Sequence, residues 1–341
     1  MVYKKMASLR VYVIRRVLVA IPMILILLGI VFFIMRVVGD PVSAILGGHA
    51  PQEQIERIKE QLGLNKPVLF QFFDYLGQLL RGDLGRSLIW GQRPVISEIW
   101  DHFPATLELS ICAFLVSILV GIFTGIIAAT NFGRFFDHAF RLYGIITYGL
   151  FIPWIGIMLQ LIFGVYLGVL PIGGRIGTLM EPETITGLYV LDSLLTLNME
   201  SFISAIRHLI LPSLTLGIYL SGIYTRLTRT HLIEVLNKDF IKSAWARGLP
   251  KRTVIFKHAL KNAFIPILTM MGLQFALLLV GAVLTEITFS WPGMGTLLFE
   301  RITYRDFTTV QGIIVFFALI VITVSLLVDV IYAYIDPRIR Y

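Results

Sequence analysis

Stretches free of Asp, Glu, Lys and Arg recur along the chain at residues 17–35, 109–133, 142–174, 208–225, 262–285 and 307–328, each 18 to 33 residues long. A helix rising 1.5 Å per residue needs about 20 apolar residues to cross a hydrocarbon core of roughly 30 Å. Each run therefore suffices for one crossing, and the 33-residue run is counted once because Pro171-Ile172-Gly173-Gly174 closes it with a turn-forming sequence. The pattern predicts an all-α polytopic membrane protein with six transmembrane helices. The first run follows Lys4, Lys5, Arg10, Arg15 and Arg16, as a signal peptide would, yet its 19 residues exceed the usual apolar region of such a peptide. An uncleaved first helix is expected.

Between the runs the polar and apolar positions alternate with helical spacing in three places. Residues 52–63 put Ile55, Ile58 and Leu62 on one stripe and stop at Gly63; residues 66–80 form a second amphipathic segment with Phe70, Phe73 and Leu80 among its apolar positions. Together they predict a small cap over 40–103, which either docks a partner, shapes an entrance or packs on the rim of the bundle. In the third place, a helix over 239–249 sets Phe240, Ile241, Ala244, Trp245, Gly248 and Leu249 in one half of the wheel. Asp239, Lys242, Ser243, Ala246 and Arg247 fill the other half. Leu249-Pro250 interrupts that helix, and 253–263 predicts another with Lys257 and Lys261 one turn apart.

Composition agrees with the pattern. Mean hydropathy is +0.82 and 15% of residues are charged, where a soluble domain carries about 25%. The net charge of +8 would suggest nucleic acid in a soluble chain, but in a membrane protein Lys and Arg are first of all orientation signals, so no nucleic-acid partner is expected. With the N-terminus inside, residues 1–16, 134–141, 226–261 and 329–341 hold 18 of the 29 basic residues. Both termini are therefore expected in the cytoplasm, and the opposite side carries most of the acids. Nine of the basic residues fall between Arg226 and Lys261. The acidic 175–206 segment, with Glu181, Glu183, Asp192 and Glu200, lies on the other side and reads either as a protein contact or as a solvated face.

Catalytic motifs are missing. No Gly-Lys dipeptide occurs, so there is no phosphate-cradling loop, and the single Cys112 sits in an apolar run where it reads as core packing. The six histidines are scattered at span ends and in loops and are expected to be structural or interfacial. Energy for any transport must come from partners or ion gradients. Intramembrane polar groups are functional candidates by default; here they are Gln160, Gln274 and Gln311, with Glu286 and Asp329 at span ends. Helix-packing glue is the competing reading of the glutamines. None is both central and charged, which argues against a self-sufficient ion-coupled carrier. The spacings Gly121/Gly125 and Gly164/Gly168 fit close helix approach, and Pro153, Pro212 and Pro266 sit where a span can bend.

The basic loop has two readings from its residues alone: a hairpin lying on anionic headgroups, or, because Ala244, Ala246 and Gly248 keep it slim, an insertion into a cleft of another protein. At DFIKSAWARGLPKRTVIFKHALKNAFIPILT (239–269) the chain resembles the cytoplasmic signature loop of ABC importer permeases of the dipeptide/oligopeptide/nickel branch. The resemblance continues through IRRVLVAIP (14–22), GDP (39–41), LGLNKPVLFQFFDYLGQLLRGDLGRS (62–87), PATLEL (104–109), HLILPSLTLG (208–217), EITFSWPGMG (286–295), RDFTTVQG (305–312) and LVDVIYAYIDPRIR (327–340). It implies a type I ABC importer permease fold, with a tail and first helix over 1–39, the cap over 40–103, a core of five transmembrane helices over 104–335 with a coupling loop at 227–263, and a tail at 336–341. It further implies a non-enzymatic subunit that works with a second homologous permease, two ABC ATPases, an extracytoplasmic binding protein and membrane lipid, in the cytoplasmic membrane of a prokaryote. ATP and Mg would be bound by the ATPases, with no cofactor in this chain. By the same resemblance Asp239, Phe240, Ala244, Trp245, Ala246, Arg247, Gly248 and Leu249 form the ATPase-coupling helix, and Gly248 takes the place of the glycine of the importer signature. The chain reads Lys242-Ser243-Ala244 where that signature has Glu-Ala-Ala, so no ion pair from a signature glutamate is implied. ITGLYVLDSLL (185–195) is closest to dipeptide members, which points to short peptides as cargo; oligosaccharides or nickel chelates are the alternatives within the family.

Overall fold

A computed structural model describes residues 9–38, 65–89 and 91–335, together with the single positions 51, 53 and 56. All but two residues of the expected 52–63 helix, the GDP at 39–41 and both chain ends lie outside the described residues. Twelve α-helices are described: α1 Leu9–Val38, α2 Val68–Leu80, α3 Val95–Thr130, α4 Phe135–Gly149, α5 Ile152–Leu159, α6 Tyr189–Leu195, α7 Met199–Leu236, α8 Asp239–Ala246, α9 Lys261–Gly281, α10 Val283–Thr288, α11 Met294–Thr303 and α12 Phe307–Ile335. Two π-helical segments join them, Gln160–Tyr166 after α5 and Thr253–Leu260 running into α9. The described residues contain no strand beyond a single bridge between Arg86 and Pro94.

Five helical stretches are long and apolar enough to span a membrane, namely Leu18–Arg36, Val95–Thr130, Met199–Leu236, Thr253–Leu279 and Phe307–Val328. The run at 142–174 makes a sixth span only as a bent pair: α4 and the α5 stretch, which runs on to Tyr166, meet at an angle of 104°. The cause is local. Pro153 has no N–H to give to the carbonyl of Gly149 four residues back, so the helix stops, Leu150 and Phe151 extend, and a new helix starts with proline in its first turn.

The core is built on the pairing of α3 with α7, the most extensive helix contact among the described residues. Lipid tails are as apolar as leucine, so helices associate in a membrane through close van der Waals fit and a few hydrogen bonds. A side chain at Gly121 would collide with Tyr224 and the Ser221 carbonyl, and one at Gly125 with Thr228. Thr124 and Thr225 share a hydrogen bond of 2.8 Å at the same crossing. The expected role of Gly164/Gly168 differs: Gly164 abuts Ile172 of its own hairpin and Gly168 turns the chain at φ +61°. Below this crossing, at the end carrying the basic loop, Ala129 of α3, Leu232 of α7 and Val254, Ala259 and Ala263 form a small separate core. At the opposite end Val95, Ile99, Met294, Leu297, Ile313 and Phe317 form another. Helix α2 leans on α1 through Phe72 and Tyr75, whose rings meet Phe32. Phe70, Phe73 and Leu80 point away from the bundle, Leu80 being 90% exposed, so the apolar face of this part of the cap is displayed.

Candidate functional site

Helix α8 is held by one side and presents the other. Ile241 and Ala244 are buried in the small core with Leu232, Ala129 and Val254, and Leu249 packs at its edge. The half-wheel read from the sequence is thereby divided. Ala244 and Leu249 are anchors, turned into this chain's own helices, while Phe240 and Trp245 flank the buried stripe and remain 46% and 44% exposed. Asp239, Ala246, Arg247 and Gly248 are exposed with them. Asp239 pairs with Lys242 at 2.9 Å on that surface. Lys251 and Arg252 follow on the same exposed turn. What the hairpin offers a partner is therefore a pair of aromatic side chains set among cations.

Two features stiffen this presentation. The helix ends where Gly248 adopts φ +73°, with its N–H donating to the Trp245 carbonyl at 2.9 Å, the left-handed ending that glycine adopts without steric cost. A Cβ at Gly248 would meet nothing within 4 Å, so the requirement inside this chain is conformational. Beyond Pro250 the chain enters the π-helical segment 253–260, where the sequence predicted an α-helix, and continues into α9 without a break. Helix α8 is thus packed against α7 through Leu232 and against the segment leading into α9 through Val254 and Ala259. A bidentate ion pair, Arg229 to Asp137, with Asp137 also accepting from the Gly133 N–H at 2.9 Å, binds the start of α4 to α7 one level above the loop.

The opposite end is fastened by buried carboxylates. Glu286 lies wholly inside: Thr106 Oγ1 donates to its Oε1 at 2.6 Å, and the N–H groups of Gly295 and Thr296 donate to Oε2 at 2.7 and 3.1 Å. It caps the N-terminus of α11 from a neighbouring helix. Side chains at Gly293 or Gly295 would occupy the place of that carboxylate. Trp291 completes the joint, donating its indole N–H to the Ala105 carbonyl at 2.9 Å. Asp306 in turn accepts from Ser87 Oγ (2.5 Å), the Leu88 N–H (3.2 Å) and Thr309 Oγ1 (2.7 Å), tying the 83–89 segment to α12.

Two buried ion pairs add to these. Arg175 bonds Glu108 through Nε and a terminal nitrogen at 3.0 and 2.7 Å and stacks over Tyr189 at 3.8 Å. Arg301 bonds Glu98 at 3.0 Å. In the 175–206 segment Asp192 is fully buried, so it is no part of an acidic contact face, unlike exposed Glu181, Glu183 and Glu200. Burial pushes its pKa up, but hydrogen bonds from the Thr186 hydroxyl and the N–H groups of Thr186, Ile185 and Gly187 outweigh that and hold it below the ordinary value.

The polar candidates from the sequence do not converge. Gln160 donates to the carbonyls of Ile172 (2.6 Å) and Thr288 (3.0 Å), joining the π-helical turn to α10. Gln274 is half-buried on α9, and Gln311 of α12 faces the Tyr75 hydroxyl of α2. With Glu286 spent on capping, the four sit at four separate places. The residues sequence reasoning missed are Arg141 and Arg226, which it read as loop charges; they line one cleft between α4 and α7.

This geometry meets known proteins as follows. Residues 9–110 match the N-terminal family of binding-protein-dependent transport system membrane components, and 121–341 match the family described as binding-protein-dependent transport system inner membrane component. The dipeptide transport system permease protein DppB of Alkalihalophilus pseudofirmus is 40% identical, covering 97% of this chain and 99% of its own length. The di/tripeptide transport system permease protein DppB of Pseudomonas aeruginosa is 41% identical over 97% and 98%. The glutathione transport system permease protein GsiC of Escherichia coli is 38% identical over 97% and 99%. Among solved structures, the inward-facing MetNI methionine ABC transporter superposes with a TM-score of 0.50 at 13% identity, covering 71% of this chain and 96% of that one, which supports the fold. A chain of this length whose two halves match the two parts of one permease family, with helices to match, belongs to the binding-protein-dependent transport system inner membrane components.

Proposed function

We propose that this chain is one permease half of an ATP-driven importer of short peptides, paired with a second homologous permease, two ABC ATPases and an extracytoplasmic binding protein. Both termini and the basic loop face the cytoplasm of a prokaryote, and α8 is the coupling helix. ATP and Mg are bound by the ATPases, and this chain holds no cofactor of its own. The observation that carries the reading is the divided face of α8: Ile241 and Ala244 lock it to α7 and α9, while Phe240, Trp245 and Arg247 stay free for a partner. Aromatic and arginine side chains are the groups that most often carry binding energy at protein interfaces. When the ATPases close on ATP, α8 is displaced as a rigid handle, and the motion enters the membrane along α7 and α9. The cargo class follows the relatives, which are named for dipeptides, di/tripeptides and glutathione.

The test is purification of the tagged chain in mild detergent with its co-purifying proteins identified, followed by reconstitution and uptake of a labelled dipeptide with ATP inside or outside the ATPase compartment. Recovery of an ATPase and a second permease, with uptake that needs ATP, is expected. A folded chain that purifies alone and moves peptide without ATP overturns the reading.

A further inference from the structure

The cleft between α4 and α7 has a volume of about 700 Å³, and Arg141, Arg226 and Arg229 all line it. Arg229 is neutralised by Asp137. Neither Arg141 nor Arg226 has an acid within ion-pair distance among the described residues. The same Asp137, already bonded to Arg229, is the acid whose field Arg141 shares. Two guanidinium groups without an ion-pair contact among the described residues thus face one cavity.

Their setting makes this informative. Phe132, Phe135 and Phe136 are exposed around the turn into α4, as aromatic side chains are at a membrane surface. Arg141 lies six residues further along the helix than Phe135, about 9 Å along its axis at 1.5 Å per residue, and like Arg226 it is exposed. A charge beside an apolar span is retained where it faces water or an opposite charge. At its far end the cleft reaches Gly149, where the span breaks and turns through 104°; irregular backbone at membrane depth is tolerated where it is buried in protein or lines an aqueous cavity. Thr225 and Tyr148 add hydroxyl groups to the wall. The cleft is therefore a cationic recess with hydroxyl groups in its wall.

We propose that this cleft is a passage segment for peptide cargo in which the guanidinium groups of Arg141 and Arg226 receive the cargo's C-terminal carboxylate. The inference rests on the peptide-importer reading above. A carboxylate is the anion every free peptide carries, and the planar guanidinium fork matches it with two parallel hydrogen bonds. Such an attraction would draw the trailing or leading carboxylate through the inner half of the membrane, whatever the side chains attached.

The test uses the complete transporter in liposomes, with the binding protein saturated beforehand with dialanine or with its C-terminal amide, so that delivery does not limit. The wild type is expected to move the free acid about tenfold faster than the amide, as the loss of a charge-assisted hydrogen bond implies. Arg141→Gln combined with Arg226→Gln should erase that preference by slowing the acid alone, while ATP hydrolysis stimulated by the binding protein stays intact. The paired Lys variants should keep part of the preference. A wild type without preference, or a Gln variant that slows acid and amide alike, overturns the proposal. A defect seen only in vesicles containing anionic lipid also overturns it, assigning the arginines to a headgroup. A wild type that moves neither peptide overturns the importer reading itself.

Discussion

Replacing Gly248 separates what the coupling turn needs from what its partner needs. At φ +73° an L-residue pays about 1–2 kcal/mol in the left-handed region, with asparagine paying least. That cost lowers the weight of the turn by roughly 5- to 30-fold. Among the described residues nothing beyond its chain neighbours comes within 4 Å of a Cβ placed there, so alanine carries the backbone penalty alone. A further loss with tryptophan measures what its ring adds to that backbone penalty. Uptake per ATP hydrolysed, measured on the assembled transporter in liposomes, should rank glycine and asparagine together, alanine below them, and tryptophan lowest, with all four chains inserted to equal level. The ranking fails in two informative ways. Asparagine as poor as tryptophan would mean that bulk alone matters and that the backbone turn is incidental. Tryptophan with wild-type uptake per ATP would refute the docking of this turn altogether.

Glu286→Ala removes the acceptor of three buried donors and should cost about 4 kcal/mol, seen as a marked fall in Tm in detergent, with Glu286→Gln milder. Arg175→Leu or Glu108→Gln alone leaves a buried partner uncompensated and should cost about 3–5 kcal/mol, whereas the double substitution should recover part of that loss. Asp192 has a lowered folded-state pKa, so its contribution is complete above the unfolded value near 3.9 and is lost as pH falls through the lower folded value. Limited proteolysis of the 185–196 segment should accelerate across that acid window, and Asp192→Asn should remove the pH step. Gly121→Val should block the α3 and α7 crossing and abolish folded protein on size exclusion, while Gly133→Ala, facing open space, costs only its turn.

Hydropathy made the spans legible because a charge-free run of sufficient length has few alternatives, yet it carries no direction. The run at 142–174 was counted as one crossing, and only the missing N–H of Pro153 hints at the sharp turn inside it. The α8 hairpin was legible from its alternation and its cations. Which apolar residues turn inward was not: Phe240 and Ile241 are about 100° apart on a helix, and a half-wheel is too coarse to separate an anchor from a displayed ring. The fasteners were hidden for a different reason. Glu286 meets Thr106, Asp306 meets Ser87 and Arg301 meets Glu98 across 180 to 219 residues of chain, and no local pattern announces such a partner. Arg141 and Arg226 were visible only as orientation charges, since their convergence depends on the Gly144 and Gly222 contact that brings α4 onto α7.

The π-helical joint at 253–260 has a consequence for length variation in this part of the chain. A π-turn is an α-helix that has absorbed a surplus residue. Removing one residue within the segment lets bonds five apart become bonds four apart, and the helices on either side keep their facing. Removing one within α8 instead swings every later side chain by about 100° and takes Ile241 or Ala244 out of register with Leu232. The joint therefore works as slack: a place between α8 and α9 where the chain can shed a residue and still point α9 in its present direction.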